Sequence, residues 1–126
     1  MKKTLLAVMA VLMMSVMLIA GCSSGEEAAD KKSGTTTIGF SISTLNNPFF
    51  VSVKDGVEAK AKELGVNVKI VDAQNDPAKQ ANDVADLLQQ GVSVLLVNPV
   101  DSAAIFTSVE AANKAKIPVI ALDRSA

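Results

Sequence analysis

From Thr37 onward the chain alternates short apolar runs with longer amphipathic stretches, and that alternation limits the folds open to it more than any other feature. Ile38, Phe40 and Ile42 alternate with small residues, as a strand does. Pro48 can open a helix, and Phe50, Val53, Val57, Ala61 and Leu64 recur behind it at helical spacing until Gly65. Val66, Val68 and Ile70 then alternate with Asn67 and Lys69, which predicts a second strand with one wet face. Asp76 and Pro77 read as an N-cap followed by proline at the first helical position. Ala81, Val84, Ala85 and Leu88 supply that helix's apolar stripe, and Gly91 closes it. Val92 to Val97 is almost continuously apolar, as a strand covered on both faces should be. Asp101 or Ser102 can cap a third helix, with Ile105, Val109 and Ala112 facing inward. Ile117 to Leu122 forms a fourth strand, with Pro118 near its start, where a missing N–H costs least.

The order β-α-β-α-β-α-β implies a parallel sheet joined by right-handed crossovers. The half-polar second strand suits an edge, and the others suit the interior, so the expected class is α/β, doubly wound, with strand order 2-1-3-4. The switch point then falls between strands one and three. Strand four raises a difficulty, because it is apolar yet would be an exposed edge. The expectation is therefore an incomplete N-terminal lobe over residues 38–126, a fragment of a longer chain or the product of a truncated gene.

Residues 1–37 do not fit this pattern. Lys2 and Lys3 precede an almost wholly apolar run from Thr4 to Gly21, followed by Cys22 and an abruptly polar tail. Eighteen helical residues would span roughly 27 Å, slightly short of a bilayer core of about 30 Å. The flanking residues point to an export signal over residues 1–21. Residues 22–37 read as a flexible tether, whose typical reach is about 20 Å. Without Lys2 and Lys3 the chain has 10 basic against 13 acidic residues, a net charge of −3. No basic stripe or aromatic–basic interleaving suggests nucleic acid. The sequence holds no histidine, the commonest general base and metal ligand.

In doubly wound sheets, ligands lie beyond the carboxyl ends of the strands at the switch point. Ser43, Asn46 and Asn47 follow strand one, Asp72, Gln74 and Asn75 strand two, Asn98 strand three, and Asp123 and Arg124 strand four. Topology gathers Asn47, Asn98, Asp123 and Arg124 on one rim, next to Phe49 and Phe50, two of only four aromatic residues. Amides and a carboxylate bond hydroxyls, a guanidinium donates in a fixed fork, and a ring covers an apolar C–H face. That mixture suits an uncharged polyol. Each residue also has a plainer role open to it. Asn47 can cap a helix, Phe50 lies on the core stripe, Asn98 can end a strand, and Asp123 and Arg124 can form a solvated ion pair. Asp72, Gln74 and Asn75 read as turn and cap residues. Phosphate loop, nucleophile elbow and metal-ligand cluster are all missing from the sequence, so no enzyme, cofactor or metal is expected.

Four segments together resemble the bacterial ribose-binding proteins, sugar receptors of ABC importers within the type I periplasmic-binding-protein family. They are Ser43-Thr44-Leu45-Asn46-Asn47-Pro48-Phe49-Phe50, Asp76-Pro77-Ala78-Lys79, Asn98-Pro99-Val100-Asp101-Ser102 and Ile117-Pro118-Val119-Ile120-Ala121-Leu122-Asp123-Arg124. The resemblance covers residues 37–126 and is less specific for ribose, since allose, xylose and galactose receptors share much of it. It implies two α/β lobes closing on a monosaccharide, with contacts from Asn47, Phe49, Phe50, Asn98, Asp123 and Arg124 and further contacts from a second lobe. It also implies an ABC permease as partner. Ile19-Ala20-Gly21-Cys22 resembles a lipobox, which implies a lipid on Cys22 and attachment to the outer face of the cytoplasmic membrane, or the periplasmic side in a two-membrane cell. A sensory or chemotaxis receptor remains open. A repressor-type ligand domain would need a helix-turn-helix where the apolar run and tether stand.

Overall fold

The computed structural model describes residues 35–126; the expected signal over residues 1–21, Cys22 and the expected tether up to residue 34 lie outside them. Four strands, β1 (Thr37–Ile42), β2 (Asn67–Asp72), β3 (Val94–Val97) and β4 (Val119–Ala121), alternate with three helices, α1 (Pro48–Leu64), α2 (Pro77–Gln89) and α3 (Phe106–Lys114). The sheet is parallel throughout, in the order β2-β1-β3-β4. Phe40 stands opposite Ile70 on one side and Leu96 on the other, and Leu96 stands opposite Ile120.

The period of two along each strand sorts the core into two layers. Phe40, Ile42 and Phe50 are buried together on one face, with Val53, Val57, Val68, Ile70, Leu96 and Leu122 packed around them. This is the layer beneath α1. On the other face Leu95 and Val97 pack with Val84 and Leu87 of α2 and with Ile105 and Ala112 at α3. One helix on one side and two on the other make the sheet doubly wound. Gly39 points into the second layer, where a Cβ would lie 3.1 Å from Val92 Cγ1 and 3.3 Å from Leu87 Cδ1. Its lack of a side chain lets α2 and the segment after it press onto β1.

Caps set the helix boundaries. Asn47 Oδ1 accepts the Phe49 N–H at 3.0 Å ahead of α1, and Asp76 Oδ1 accepts the N–H groups of Ala78 and Lys79 ahead of α2. Gly65 ends α1 in the left-handed region, with Val66 N–H donating to Ala61 O at 3.0 Å.

Several local expectations are corrected. The buried stripe of α2 is Gln80, Val84 and Leu87; Ala85 is exposed, and Ala81 and Leu88 are only partly covered. Leu64, the last residue of α1, is exposed. Of the two candidate caps near α3, Asp101 does the capping: its Oδ1 accepts from Ala103 and Ala104 N–H in a turn that precedes the helix. Ser102 instead donates its hydroxyl to Ser125 O. The third and fourth strands are shorter than their apolar runs, four and three residues. Ile120 is half exposed, since among the described residues no second helix covers the α1 face beside β4.

Candidate functional site

Parallel strands deliver their following loops to one end of the sheet, and the 2-1-3-4 order brings the loops after β1, β3 and β4 together there. Between them lies a recess of about 260 Å³, lined by Phe49, Phe50, Val53, Asn98, Leu122 and Asp123. Its floor is apolar and its rim polar. Ordinary small-molecule sites start at roughly 300 Å³ and enclose most of their ligand, so this recess has the dimensions of one wall.

Phe49 and Phe50 open α1 because Asn47 caps it and Pro48 occupies its first turn. Phe50 turns into the core beside Phe40 and Ile42, whereas Phe49 is 57% exposed. The two rings meet edge to face, with centroids 5.2 Å apart and planes at 67°. That geometry holds Phe49 upright and is worth roughly 0.5–1.5 kcal/mol beyond burial. Phe50 thus serves the core and the recess at once. Asn47 is exposed and does not line the recess; its Oδ1 is engaged as the cap.

Asn98 is 1% exposed, and its side chain ties three strand ends together. Its Oδ1 accepts the Ser43 N–H at 3.2 Å, and its Nδ2 donates to Leu122 O at 3.1 Å and, more weakly, to Asp123 Oδ2 at 3.5 Å. The amide lines the recess, but most of its hydrogen-bonding capacity is spent on the fold.

Asp123 has φ +66°, and the next N–H, that of Arg124, donates to Leu122 O at 2.7 Å. A three-residue turn with positive central φ is rare and strained, and strain of that kind collects at ligand-contacting positions. The turn presents the Asp123 carboxylate at the recess. Arg124 is turned the other way: its Nη1 donates to Val100 O at 2.9 Å and to Pro99 O at 3.5 Å. Arg124 Nε lies 3.9 Å from Asp123 Oδ2, at the outer limit of an ion pair, and both side chains are about half exposed. Such a pair contributes little to stability. Arg124 therefore stands beside the recess without lining it.

The residues after β2 brace the β1 loop. Asp72 Oδ1 accepts from Leu45 and Gln74 N–H, and Asn75 N–H donates to Ser43 O at 2.8 Å. Gln74 and Asn75 both take positive φ, as turn residues do. One residue of consequence escaped the sequence reading. Gln80 is 1% exposed and reaches from α2 to Ser41 Oγ, Asn98 O and Val100 N. Its signal was the 80-84-87 spacing, a helical stripe with a polar member.

Among the described residues no cluster of three or more His, Cys, Asp or Glu side chains could hold a metal. The arrangement offers an exposed ring face, a carboxylate and a nearly saturated amide around an apolar floor. That set is suited to holding a small polar molecule; it contains no paired acid and base and no activated nucleophile.

Residues 38–126 match the model of the periplasmic binding protein domain. The chain belongs to the periplasmic binding protein family. Among curated relatives, the ribose import binding protein RbsB of Bacillus subtilis (strain 168) is 54% identical over 125 residues, 95% of this chain and 41% of that protein. The Escherichia coli (strain K12) protein of the same name is 48% identical over 118 residues, covering 94% of this chain and 38% of the relative. A solved structure of a Caulobacter myo-inositol binding protein bound to myo-inositol superposes with a TM-score of 0.70 at 33% identity, over 75% of this chain and 32% of that one. An ABC transporter solute binding protein from Mycobacterium smegmatis, with bound glycerol, gives 0.70 at 42% identity, over 72% and 32%. This periplasmic binding protein chain spans about two fifths of the length of the curated relatives it matches. The relatives are solute-binding proteins of transporters, not enzymes.

Proposed function

We propose that residues 38–126 provide one wall of a monosaccharide site, with ribose as its sugar, in the extracytoplasmic binding protein of a sugar ABC importer. The observation that carries this reading is the placement of the Phe49 ring and the Asp123 carboxylate around one recess at the switch point. A ring face covers the apolar C–H side of a sugar while a carboxylate accepts from its hydroxyls. Asn47 and Arg124, at the edge of this constellation, contribute when the opposite lobe closes over the ligand. Relatives of about 50% identity that are named ribose import binding proteins favour ribose over other aldoses.

A chimera provides the test, with residues 38–126 replacing the matching segment of the Bacillus subtilis relative. Calorimetry with a panel of aldopentoses and hexoses is expected to give tight binding of ribose and at least tenfold weaker binding of the rest. Heat from no sugar, in a chimera that folds, would remove the reading.

The same proposal includes a lipid on Cys22, carried by the Ile19-Ala20-Gly21-Cys22 sequence. One acyl chain holds a protein only marginally on a bilayer, and two hold it stably. Expressed in a bacterium, the chain is expected in the membrane fraction with the added mass of acyl chains on Cys22, and Cys22→Ser is expected to lack that mass. An unmodified Cys22 in the membrane-bound protein would count against it.

A further inference from the structure

We infer that Gln80, which lies outside the recess, is a positioning residue for it, acting through the Val100 backbone on Arg124. The inference rests on the sugar-site reading above for its consequence in binding, though not for its geometry.

Gln80 sits in the first turns of α2, whose neighbours Val84 and Leu87 pack on the face of the sheet opposite α1. At 1% exposure its amide is sealed from water, yet every strong hydrogen-bonding group on it has a partner. Nε2 donates to Asn98 O at 2.9 Å and to Ser41 Oγ at 3.2 Å, and Oε1 accepts the Val100 N–H at 2.8 Å. A carbonyl on one side and an N–H on the other fix which way the amide faces. Gln80 therefore clamps both ends of the Asn98-Pro99-Val100 turn. Pro99 has no N–H, so this turn has few other means of anchoring its backbone.

The far side of the same turn holds the arginine. Arg124 Nη1 donates to the carbonyls of Val100 and Pro99, at 2.9 and 3.5 Å. Val100 thus has its N–H held by Gln80 and its C=O, in the next peptide unit, held by Arg124. The two planar peptide units flank one Cα, so with the first held by Gln80 only the two dihedrals of Val100 remain to aim the carbonyl that Arg124 grips. The path runs from buried Gln80 through Val100 to Arg124, next to Asp123. Binding constellations need such support to hold their geometry.

Arg124 is the only arginine in the sequence, which makes its guanidinium a private reporter. The test records its side-chain N–H signals by NMR in the full chain, held in detergent, for the unsubstituted protein, Gln80→Leu and Ser41→Ala. Ser41→Ala removes one partner of Gln80 without touching the clamp on residues 98–100. Gln80→Leu is expected to shift the Arg124 signals and speed their exchange with water by tenfold or more, while Ser41→Ala leaves them in place. If Gln80→Leu fails to fold, Gln80→Met, which matches glutamine in length and removes the acceptor for Val100, is read instead. Arg124 signals unchanged in a folded Gln80 variant overturn the inference, and so does an equal shift in Ser41→Ala.

In the chimera the same Gln80 variant is expected to weaken ribose binding by about tenfold, the effect of disturbing one hydrogen bond to a charged group. Full affinity there overturns the inference for binding. An unsubstituted chimera that binds no sugar overturns the sugar reading itself, and the arginine signals still decide the geometry.

Discussion

Asn98→Ala is expected to destabilise the described domain by about 3–5 kcal/mol, the largest loss from any single polar side chain in it. The substitution leaves the Ser43 N–H and the Leu122 carbonyl without their side-chain partner. Each buried polar group stranded in this way costs roughly 1–3 kcal/mol, and the vacated volume adds to that. Domains of ordinary stability have only about 5–15 kcal/mol in total, so the variant should melt at greatly reduced urea concentration or fail to accumulate. Asn98→Asp probes the two ends of the amide separately. It keeps an acceptor for Ser43 but sets an oxygen against Leu122 O and the Asp123 carboxylate, and it should be destabilised as well. A urea midpoint close to that of the unsubstituted protein for either variant would mean that the strand ends are held by something else.

Asp123→Ala acts on the opposite quantity. In the chimera with the Bacillus subtilis relative it is expected to weaken ribose binding roughly 100-fold or more, about 3 kcal/mol, because a carboxylate that accepts from sugar hydroxyls makes charge-assisted bonds. Stability should scarcely change, since the side chain is about half exposed and its contact with Arg124 is long. Asp123→Gly sharpens the distinction. Glycine adopts φ +66° without steric cost, so this variant should be as stable as the parent or gain up to about 1 kcal/mol, and still lose the sugar. Calorimetry and urea unfolding on the same samples separate the two effects. Ribose affinity maintained in Asp123→Gly would show that the carboxylate does not touch the sugar.

The contrast between these two residues shows what the sequence made legible. The sheet order followed from one comparison, the wet alternation of Asn67 and Lys69 against the dry run of Val92 to Val97, because edge and interior strands differ in solvent on both faces. The crossing of loops at the switch point followed from that order. The division of labour among the polar residues did not. Asn98 and Asp123 both stand at strand ends and both read as contacts, but one is consumed by three strand termini and the other is turned toward the recess. That difference depends on hydrogen bonds spanning 24 and 55 positions, which no local pattern encodes. The positive φ at Asp123 was equally hidden, since aspartate there gives none of the warning that glycine would. In α2 the alanines blurred the frame. Ala81 and Ala85 carry little apolar weight, so a stripe through them looked as good as the true one, and a glutamine in the core argued against itself.

The Asn98 bracket also bears on the order in which the domain takes shape. Contacts between neighbouring elements close short loops, whereas joining Ser43 to Asn98 must first confine a segment of more than 50 residues. The entropy of that closure rises with the logarithm of the length, and contacts of high sequence separation slow folding. The β1–β2 unit with its helix can assemble before the recess exists at all. A recess whose parts lie so far apart along the chain is thus a product of near-complete folding, and a sugar held there would act as a late fastener on the three strand ends. Its grip would favour the fully assembled domain over any partly opened form.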